Sequence, residues 1–506
     1  MGYSVTIVYS AAKSSLDPRE KQLLIVGQPS YLRKLSFNEV QEKFAGRITE
    51  DLFNECIKSL SPSMTKPHGC SLWLNQAYVA ALPHFASRHD SPSRPHSLVT
   101  LLNSIMSGQD GTVLIVCDRS HMFALGCAVA RSFPLYTRKN YHGLRKKSTI
   151  TVEFCFKGIN NEAPSSAEID CLTAAADGIR LAAEIVDTPC NEMHTDAFVE
   201  EVKKVGRDLG IKPVVIRGEE LADKGLGGLY GVGKAAVHPP ALAILSHMPD
   251  GADASENIAW VGKGIVYDTG GLSIKGKTAM PGMKADCGGA AAILGAFKAA
   301  VKQGFKKNLH ALFCLAENAV GPYSTRPDDI HIFYSGKSVE INNTDAEGRL
   351  ALGDGVAYAA KDLKANIVVD MATLTGAQGV STGQYHAAVV TNLEEWEMKS
   401  VSAGKYSGDL VHPLPYAPEL HFQEFSSTVA DMKNSVRNRD NAQSSCAGLF
   451  IGAHLGFDFP GAWVHFDIAA PATTGERATG FGVALLLRLF GKYSNNSLLK
   501  GVNTGH

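Results

Sequence analysis

The sequence predicts an α/β protein of two domains: a smaller N-terminal α/β domain and a larger C-terminal one with a central, mostly parallel or mixed sheet flanked by helices. Three observations carry this expectation. Short β-like runs alternate with helical ones over the first 156 residues. A polar segment with Gly and Pro, residues 157–168, then interrupts the apolar patterning and reads as a linker. After it, strand–loop–helix units repeat to residue 490, the order that places helices on both faces of a sheet.

In the first domain Ser4–Tyr9, Gln22–Val26, Thr112–Cys117 and Thr149–Phe156 are rich in Val, Ile and aromatics and are expected as strands, while Phe37–Leu60 and Leu98–Ile105 have helical spacing. In the second (residues 169–490), a long helix over Ile169–Val186 precedes a strand at Ile258–Val261 and a helix at Gly288–Lys302. Strands at Leu309–Leu315 and Ser338–Ile341, a helix from Arg349 to Lys361, and strands at Ile367–Met371, Ala387–Thr391 and Trp463–Ile468 follow, with a last helix at Gly482–Phe490. Residues 491–506 read as a polar, mobile tail.

The chain has 506 residues, 45% hydrophobic and 20% charged, which excludes a largely disordered protein. Its 49 Lys+Arg nearly cancel 50 Asp+Glu, so no global field recruits nucleic acid or an anionic membrane. Gly, at 49 residues, is about a tenth of the chain against a usual ~7%. The ten cysteines form no C-x-x-C pair and read as buried thiols, which implies a reducing compartment. With no secretory signal and no apolar stretch of bilayer length, the protein is expected to be cytoplasmic, with no membrane partner. Gly2 and Thr6 fit the loose myristoylation pattern, although Tyr3–Tyr9 reads better as an opening strand.

Several motif matches are decoys. Gly228 to Ala235 follows phosphate-loop spacing, but Ala235 stands where the Mg²⁺-ligating hydroxyl belongs, so a glycine-rich turn is expected. Gly379-Val-Ser381-Thr-Gly383 matches G-x-S-x-G without a strand running straight into it. His84, His89 and His96 read as a solvated loop, and H-E-x-x-H is absent.

Two segments concentrate unusual chemistry: Val261 to Lys275 with Lys284 to Gly289, and Asn343 to Leu350. In both, an apolar strand runs into a charged, glycine-bearing loop, where ligand sites form in open α/β sheets. Asp268, Asp286, Asp345 and Glu347, converging, could not all stay ionised without cations. Oxygen-rich sites of this kind suit paired divalent metals. Asp345 and Glu347, two apart, would share one side of an extended backbone. Spacing alone leaves a solvated loop equally open, and Lys263 then reads as a salt-bridge partner of Asp268.

Asn343-Thr-Asp-Ala-Glu-Gly-Arg-Leu350, with Lys263, Asp268, Lys275 and Asp286 upstream, resembles the signature of the leucine aminopeptidase (cytosol aminopeptidase) family, dizinc metallo-exopeptidases. The resemblance runs from about Thr173 to Phe490 and is weak over the N-terminal domain. It implies that residues 169–490 form a catalytic metallopeptidase domain acting on peptides with a free N-terminus. It also implies a homohexamer and two divalent ions per subunit, zinc first, with manganese or magnesium as alternatives at the exchangeable site.

By the same resemblance, Lys263, Asp268, Asp286 and Glu347 would bind the tighter metal, and Asp268, Asp345 and Glu347 the exchangeable one. A water bridging two metals would be the nucleophile, and the substrate's α-amine would coordinate one of them. Lys275 would stabilise the oxyanion. Arg349 would hold a bicarbonate base, cradled by the amides of Ala346, Gly348 and Leu374. Met283, Thr373, Gly376, Ala469 and Ala472 would line the substrate pocket. Two departures stand out: Cys287 replaces a frequent Met, and Ala470-Pro471-Ala472 replaces a bulky Met that often shapes the pocket, which widens the site. Two other functions compete: a two-metal phosphoesterase, and a binding or regulatory protein that kept the fold. DNA binding, known in some family members, is disfavoured by the near-zero charge.

Overall fold

The computed structural model describes residues 4–106, 108–139, 147–253 and 255–500. Gly2 therefore lies outside the described residues. Six strands form the N-terminal sheet in the order Ser4–Ser10, Lys147–Phe156, Gly111–Cys117, Gln22–Gly27, Ala77–Ala81, His68–Trp73, parallel except for the last pair. Eight form the second sheet: Val411–Pro413, Ala387–Thr391, Ala462–Asp467, Ile367–Ala372, Asn257–Asp268, Asn308–Asn318, Ala241–His247 and Val214–Arg217. Its four central strands, from Ala462–Asp467 to Asn308–Asn318, run parallel, and antiparallel strands flank them.

The long helix Ser166–Asp187 is started by a capping box between Ser165 and Glu168. It packs on helix Gly288–Lys302 through a glycine pair: a Cβ at Gly178 would lie 2.6 Å from the Gly295 carbonyl oxygen. One continuous apolar core runs from Val5 and Leu24 of the first sheet through this helix to Trp260 of the second sheet and Leu485 of helix Val483–Leu489. Burial on both faces explains why the central strands read as uninterrupted apolar runs.

Several expectations need correction. The stretch 37–60 is not one helix: short 3-10 turns at Phe37–Glu39 and Gln41–Lys43 precede helix Glu50–Ser59. Ala45 and Gly46, at φ 48 and 73, break it, and Thr49 caps the new start. Gly227–Gly233 is a short helix rather than a turn, and Ser381 lies within helix Gly376–Thr382 with its hydroxyl bound to the Ala377 carbonyl. His96 sits in the first turn of helix Pro95–Ile105, not in a solvated loop. The tail is anchored as far as residue 500: Leu498 and Leu499 are buried, and Arg488 donates to the Leu498 carbonyl. Cys56 and Cys70 are joined in a disulfide because helix Glu50–Ser59 and strand His68–Trp73 bring their Cα atoms within 6.4 Å, so the all-thiol expectation fails there. Seven of the eight free cysteines are buried. Among the described residues, no helix is long and apolar enough to cross a membrane.

Candidate active site

The C-terminal ends of the four central strands deliver the site. Asp268 ends the strand Asn257–Asp268, Asn318 ends Asn308–Asn318, Asp467 ends Ala462–Asp467, and Thr373 follows Ile367–Ala372. Lys263 and Asp268 belong to one strand but are five residues apart, which strict alternation would turn to opposite faces. A register slip opposite Ala316/Glu317, where Ile265 and Tyr267 become successive partners, inserts one residue and lets both reach the same carboxylates.

Asp286 comes from the 3-10 turn Met283–Cys287, just ahead of helix Gly288–Lys302, and Glu347 caps helix Gly348–Lys361. The segment 343–346 is a turn and not extended backbone, shaped by Asn343, whose Oδ1 accepts from the Asp345 amide at 3.0 Å. It is laced to the loop after Asp268: Thr344 Oγ1 donates to the Gly270 carbonyl at 2.6 Å and accepts from the Ser273 amide at 2.7 Å.

The result is an alternating array of charge. Carboxylate oxygens of Asp268, Asp286 and Glu347 all lie within 4.8 Å of one another, and all three residues are buried. Lys263 Nζ stands 2.7 Å from Asp286 Oδ1 and 2.9 Å from Glu347 Oε1, and also donates to the Thr373 carbonyl at 2.9 Å. The expected salt bridge to Asp268 is thus replaced by a pair with Asp286 and Glu347. Lys275 Nζ joins Asp268 Oδ2 at 2.9 Å to Asp345 Oδ1 at 2.6 Å. Asp345 therefore meets the buried trio through Lys275.

Burial works against the charge on Lys263, yet Asp286, Glu347 and Asp268 outweigh it and hold the ammonium protonated more firmly than usual. Lys275 is held up in the same way by Asp268 and Asp345. Burial, reinforced by Glu347 and Asp268, pushes the Asp286 carboxyl well above the usual carboxylate range despite Lys263. Asp286 Oδ2 is buried with no hydrogen-bond partner. Clustered carboxylates and an orphaned oxygen make a donor set that fits divalent cations, and the two ammonium groups standing between them supply positive charge there.

Arg349 is 5% exposed, and burial lowers its pKa to about 10. Its Nη1 donates to the Asn434 carbonyl at 3.0 Å, while its Nε has no partner. Of the three amides expected to cradle an anion, Ala346 donates to the Asn343 carbonyl and Leu374 to Asp467 Oδ1. Among the pocket residues, Thr373 and Ala472 flank Gly288, where a Cβ would lie 3.1 Å from Thr373 Cγ2 and 3.6 Å from Ala472 Cβ. Met283 and Ala469 are half-buried, and Gly376 is exposed at a helix start.

Sequence reasoning missed Asn318 and Asp467 among the residues that hold this array, and gave Thr373 only a place in the pocket lining. Asn318 Nδ2 donates to Asp268 Oδ1 at 2.8 Å, and Thr373 Oγ1 donates to Asp286 Oδ1 at 2.8 Å. Asp467 takes bonds from the Leu374 amide, the Thr375 and Ser444 hydroxyls and the Ala469 amide. A single polar residue closing an apolar strand (Asn318, Asp467) was the available signal.

Residues 180–487 match the model of the cytosol aminopeptidase family catalytic domain, and residues 21–142 the M17 aminopeptidase N-terminal domain 2. The chain is 61% identical over 502 residues to "Probable aminopeptidase NPEPL1" of Mus musculus, covering 99% of this chain and 95% of that one. A solved structure of Caenorhabditis elegans leucine aminopeptidase superposes with a TM-score of 0.89 at 42% identity, covering 99% of this chain and 100% of that one. A Trypanosoma brucei leucyl aminopeptidase in complex with bestatin gives 0.85 at 34% identity, covering 97% and 96%.

Proposed function

The chain belongs to the cytosol aminopeptidase family, whose members are metal-dependent peptide hydrolases, and from that premise we propose a two-metal aminopeptidase mechanism built on the charge array around Lys263 and Lys275. The observation that carries the reading is the buried trio Asp268, Asp286 and Glu347, with its orphaned oxygen and its two interposed ammonium groups. Lys263, once it gives up its proton to the incoming cation, would join Asp268, Asp286 and Glu347 in holding one divalent ion, and Asp268, Asp345 and Glu347 would hold the other, zinc first and manganese or magnesium at the exchangeable position. Such a pair supplies an acidified water and Lewis acidity toward a carbonyl.

The chain's own residues do the rest. Lys275, half-buried at the mouth of the array, remains cationic and donates to the oxyanion that develops on the scissile carbonyl. Arg349, whose Nε is without a partner, would hold a bicarbonate, and such an anion would supply the base that the side chains nearby, already paired, do not. Gly348 leaves Lys263 room, since a side chain there would strike the Lys263 methylenes. Asn318 and Thr373 orient Asp268 and Asp286. The small residues Ala470 and Ala472 leave the pocket wide, which favours a range of N-terminal side chains. The family description supports cytoplasmic placement, and the family's hexamer is the assembly expected.

Release of free amino acid from Leu, Met, Ala and Arg anilides, with Mn²⁺ or Zn²⁺ and then with chelator, tests the reading. Metal-dependent turnover on at least one substrate is expected. No chelator-sensitive hydrolysis on any of them would sink it.

A further inference from the structure

The turn over residues 469–472 borders the catalytic array, where Ala472 and Thr373 both approach Gly288. Its ends are tied to its own strand. The Ala469 amide donates to Asp467 Oδ1 at 3.2 Å, and the Ala472 amide to the Ile468 carbonyl at 3.1 Å. Its middle is held from another element: the Ala470 amide donates to Gln378 Oε1 at 2.7 Å.

Gln378 lies in helix Gly376–Thr382 and is fully buried. A buried amide has to use both its acceptor and its donors, and this one does. While Oε1 takes the Ala470 amide, Nε2 donates to Thr382 Oγ1 at 2.7 Å and to the His386 carbonyl at 2.8 Å. The start of the helix is fixed as well, since the Gln378 amide donates to Thr375 Oγ1, and that hydroxyl donates to Asp467. Gly379 lets the helix lie close to the turn, where an added Cβ would sit 3.4 Å from Ala470 Cβ. Glu at this position would offer no donor toward His386, and Met no donor at all.

The chain of bonds continues into the N-terminal domain. His386 Nε2 donates to the His89 carbonyl at 2.9 Å. His96 meets Tyr385 edge to face with ring centroids 5.0 Å apart, and a Cβ on Gly408 would come within 2.8 Å of Pro95. Arg131 and Asp409 close the same seam with a buried ion pair at 2.6 Å. Three successive hydrogen bonds therefore join the N-terminal domain to the turn: His386 to His89, Gln378 to His386, and Ala470 to Gln378.

We propose that Gln378 is a positioning residue that fixes this wall of the substrate pocket and so sets which N-terminal side chains are preferred. The N-terminal domain, through His386, holds Gln378 for that task. The proposal rests on the aminopeptidase reading, with turn 469–472 as a pocket wall. Ala470 and Ala472 give that wall little bulk, so it discriminates by where its backbone stands. One methylene of fit is worth about 10–200-fold between substrates. A turn free to shift by that much would discriminate little.

The test compares wild type with Gln378→Met and with His386→Phe, as full chains with Mn²⁺. It reads kcat/KM on Leu, Met, Ala and Arg anilides, and amide hydrogen exchange over residues 469–472. In Gln378→Met the ratio between best and worst substrate should shrink about tenfold, and the Ala470 amide should exchange faster. His386→Phe, which keeps an aromatic ring and loses the donor, should move both readouts in the same direction. An equal loss on all four substrates overturns the positioning role, because damage to the fold alone has that result. Wild-type exchange and ratios in His386→Phe overturn the share of the N-terminal domain. Turnover with unaltered ratios in Gln378→Met overturns this proposal alone. Wild type that hydrolyses none of the four overturns the aminopeptidase reading and this proposal with it.

Discussion

Gly348 and Lys263 share one space: a Cβ on residue 348 would lie 2.4 Å from Lys263 Cε and 2.7 Å from its Nζ. Lys263 reaches Asp286 and Glu347 only because residue 348 has no side chain. Gly348→Ala should displace the ammonium by a fraction of an ångström or more. Misplacement on that scale lowers kcat by ~10²-fold, and overpacking costs about 1–3 kcal/mol of stability. Steady-state kinetics with a denaturant titration checks both. Wild-type kcat in a folded variant would contradict the crowding argument.

Lys275→Ala removes the proposed donor to the developing oxyanion. The expected loss is ~10²–10³-fold in kcat with little change in KM. A fall confined to KM would assign Lys275 to ground-state binding instead.

Mn²⁺ should stabilise the folded chain, because the buried carboxylates proposed to bind it are not assembled in the unfolded state. At a concentration one hundred times Kd the gain is ~2.7 kcal/mol by mass action. Asp286→Asn, which alters the carboxyl with the orphaned oxygen, should lose most of that gain in a thermal melt. An undiminished Mn²⁺ shift in the variant would remove Asp286 from the ligand set.

Asp467 is fully buried and anchors the backbone at Leu374 and Ala469 together with the hydroxyls of Thr375 and Ser444. Asp467→Ala leaves these donors unpaired, at roughly 1–3 kcal/mol for each one not rescued by water. It also loosens the loop carrying Thr373, so kcat/KM should drop along with the denaturation midpoint. A midpoint within experimental error of wild type would show that the loop is held by other contacts.

His454 is buried against Phe333, and burial lowers its pKa from 6.5 to about 3. The folded chain keeps it neutral while the unfolded chain takes up a proton below 6.5. Its contribution to stability is therefore complete above pH 6.5 and is lost as pH falls toward 3. Between pH 6.5 and pH 5 the loss is about 2 kcal/mol. His454→Gln should flatten the pH dependence of the urea midpoint over that window. An unchanged slope would show that His454 titrates alike in both states.

Local signals sufficed where one element carried its own pattern. Helix Gly288–Lys302 and strand Ala387–Thr391 have the bounds that periodicity indicates. The reading faltered where backbone conformation or neighbours intervened. Ala45 and Gly46 at positive φ divide what looks like one helix over 37–60. Strands Ala77–Ala81 and Ala241–His247 went unread because alanine has little strand preference and only pairing within the sheet stabilises them there.

The sequence by itself singled out the proposed donor set. Lys263, Asp268, Lys275, Asp286, Asp345, Glu347 and Arg349 are chemically unusual where they stand, and their spacing sufficed to recognise the family. Tertiary structure decided the pairing. A register slip between two parallel strands turned Lys263 and Asp268 toward one another's neighbours, and Lys263 settled on Asp286 and Glu347 instead of Asp268. It also supplied Asn318, Asp467 and Gln378, which meet their partners only across the sheet or between a helix and a distant loop. The physical reason is one of range. Residue type and local periodicity are written in a few consecutive positions, whereas which charge faces which depends on strand register and close glycine contacts that only the assembled sheet imposes.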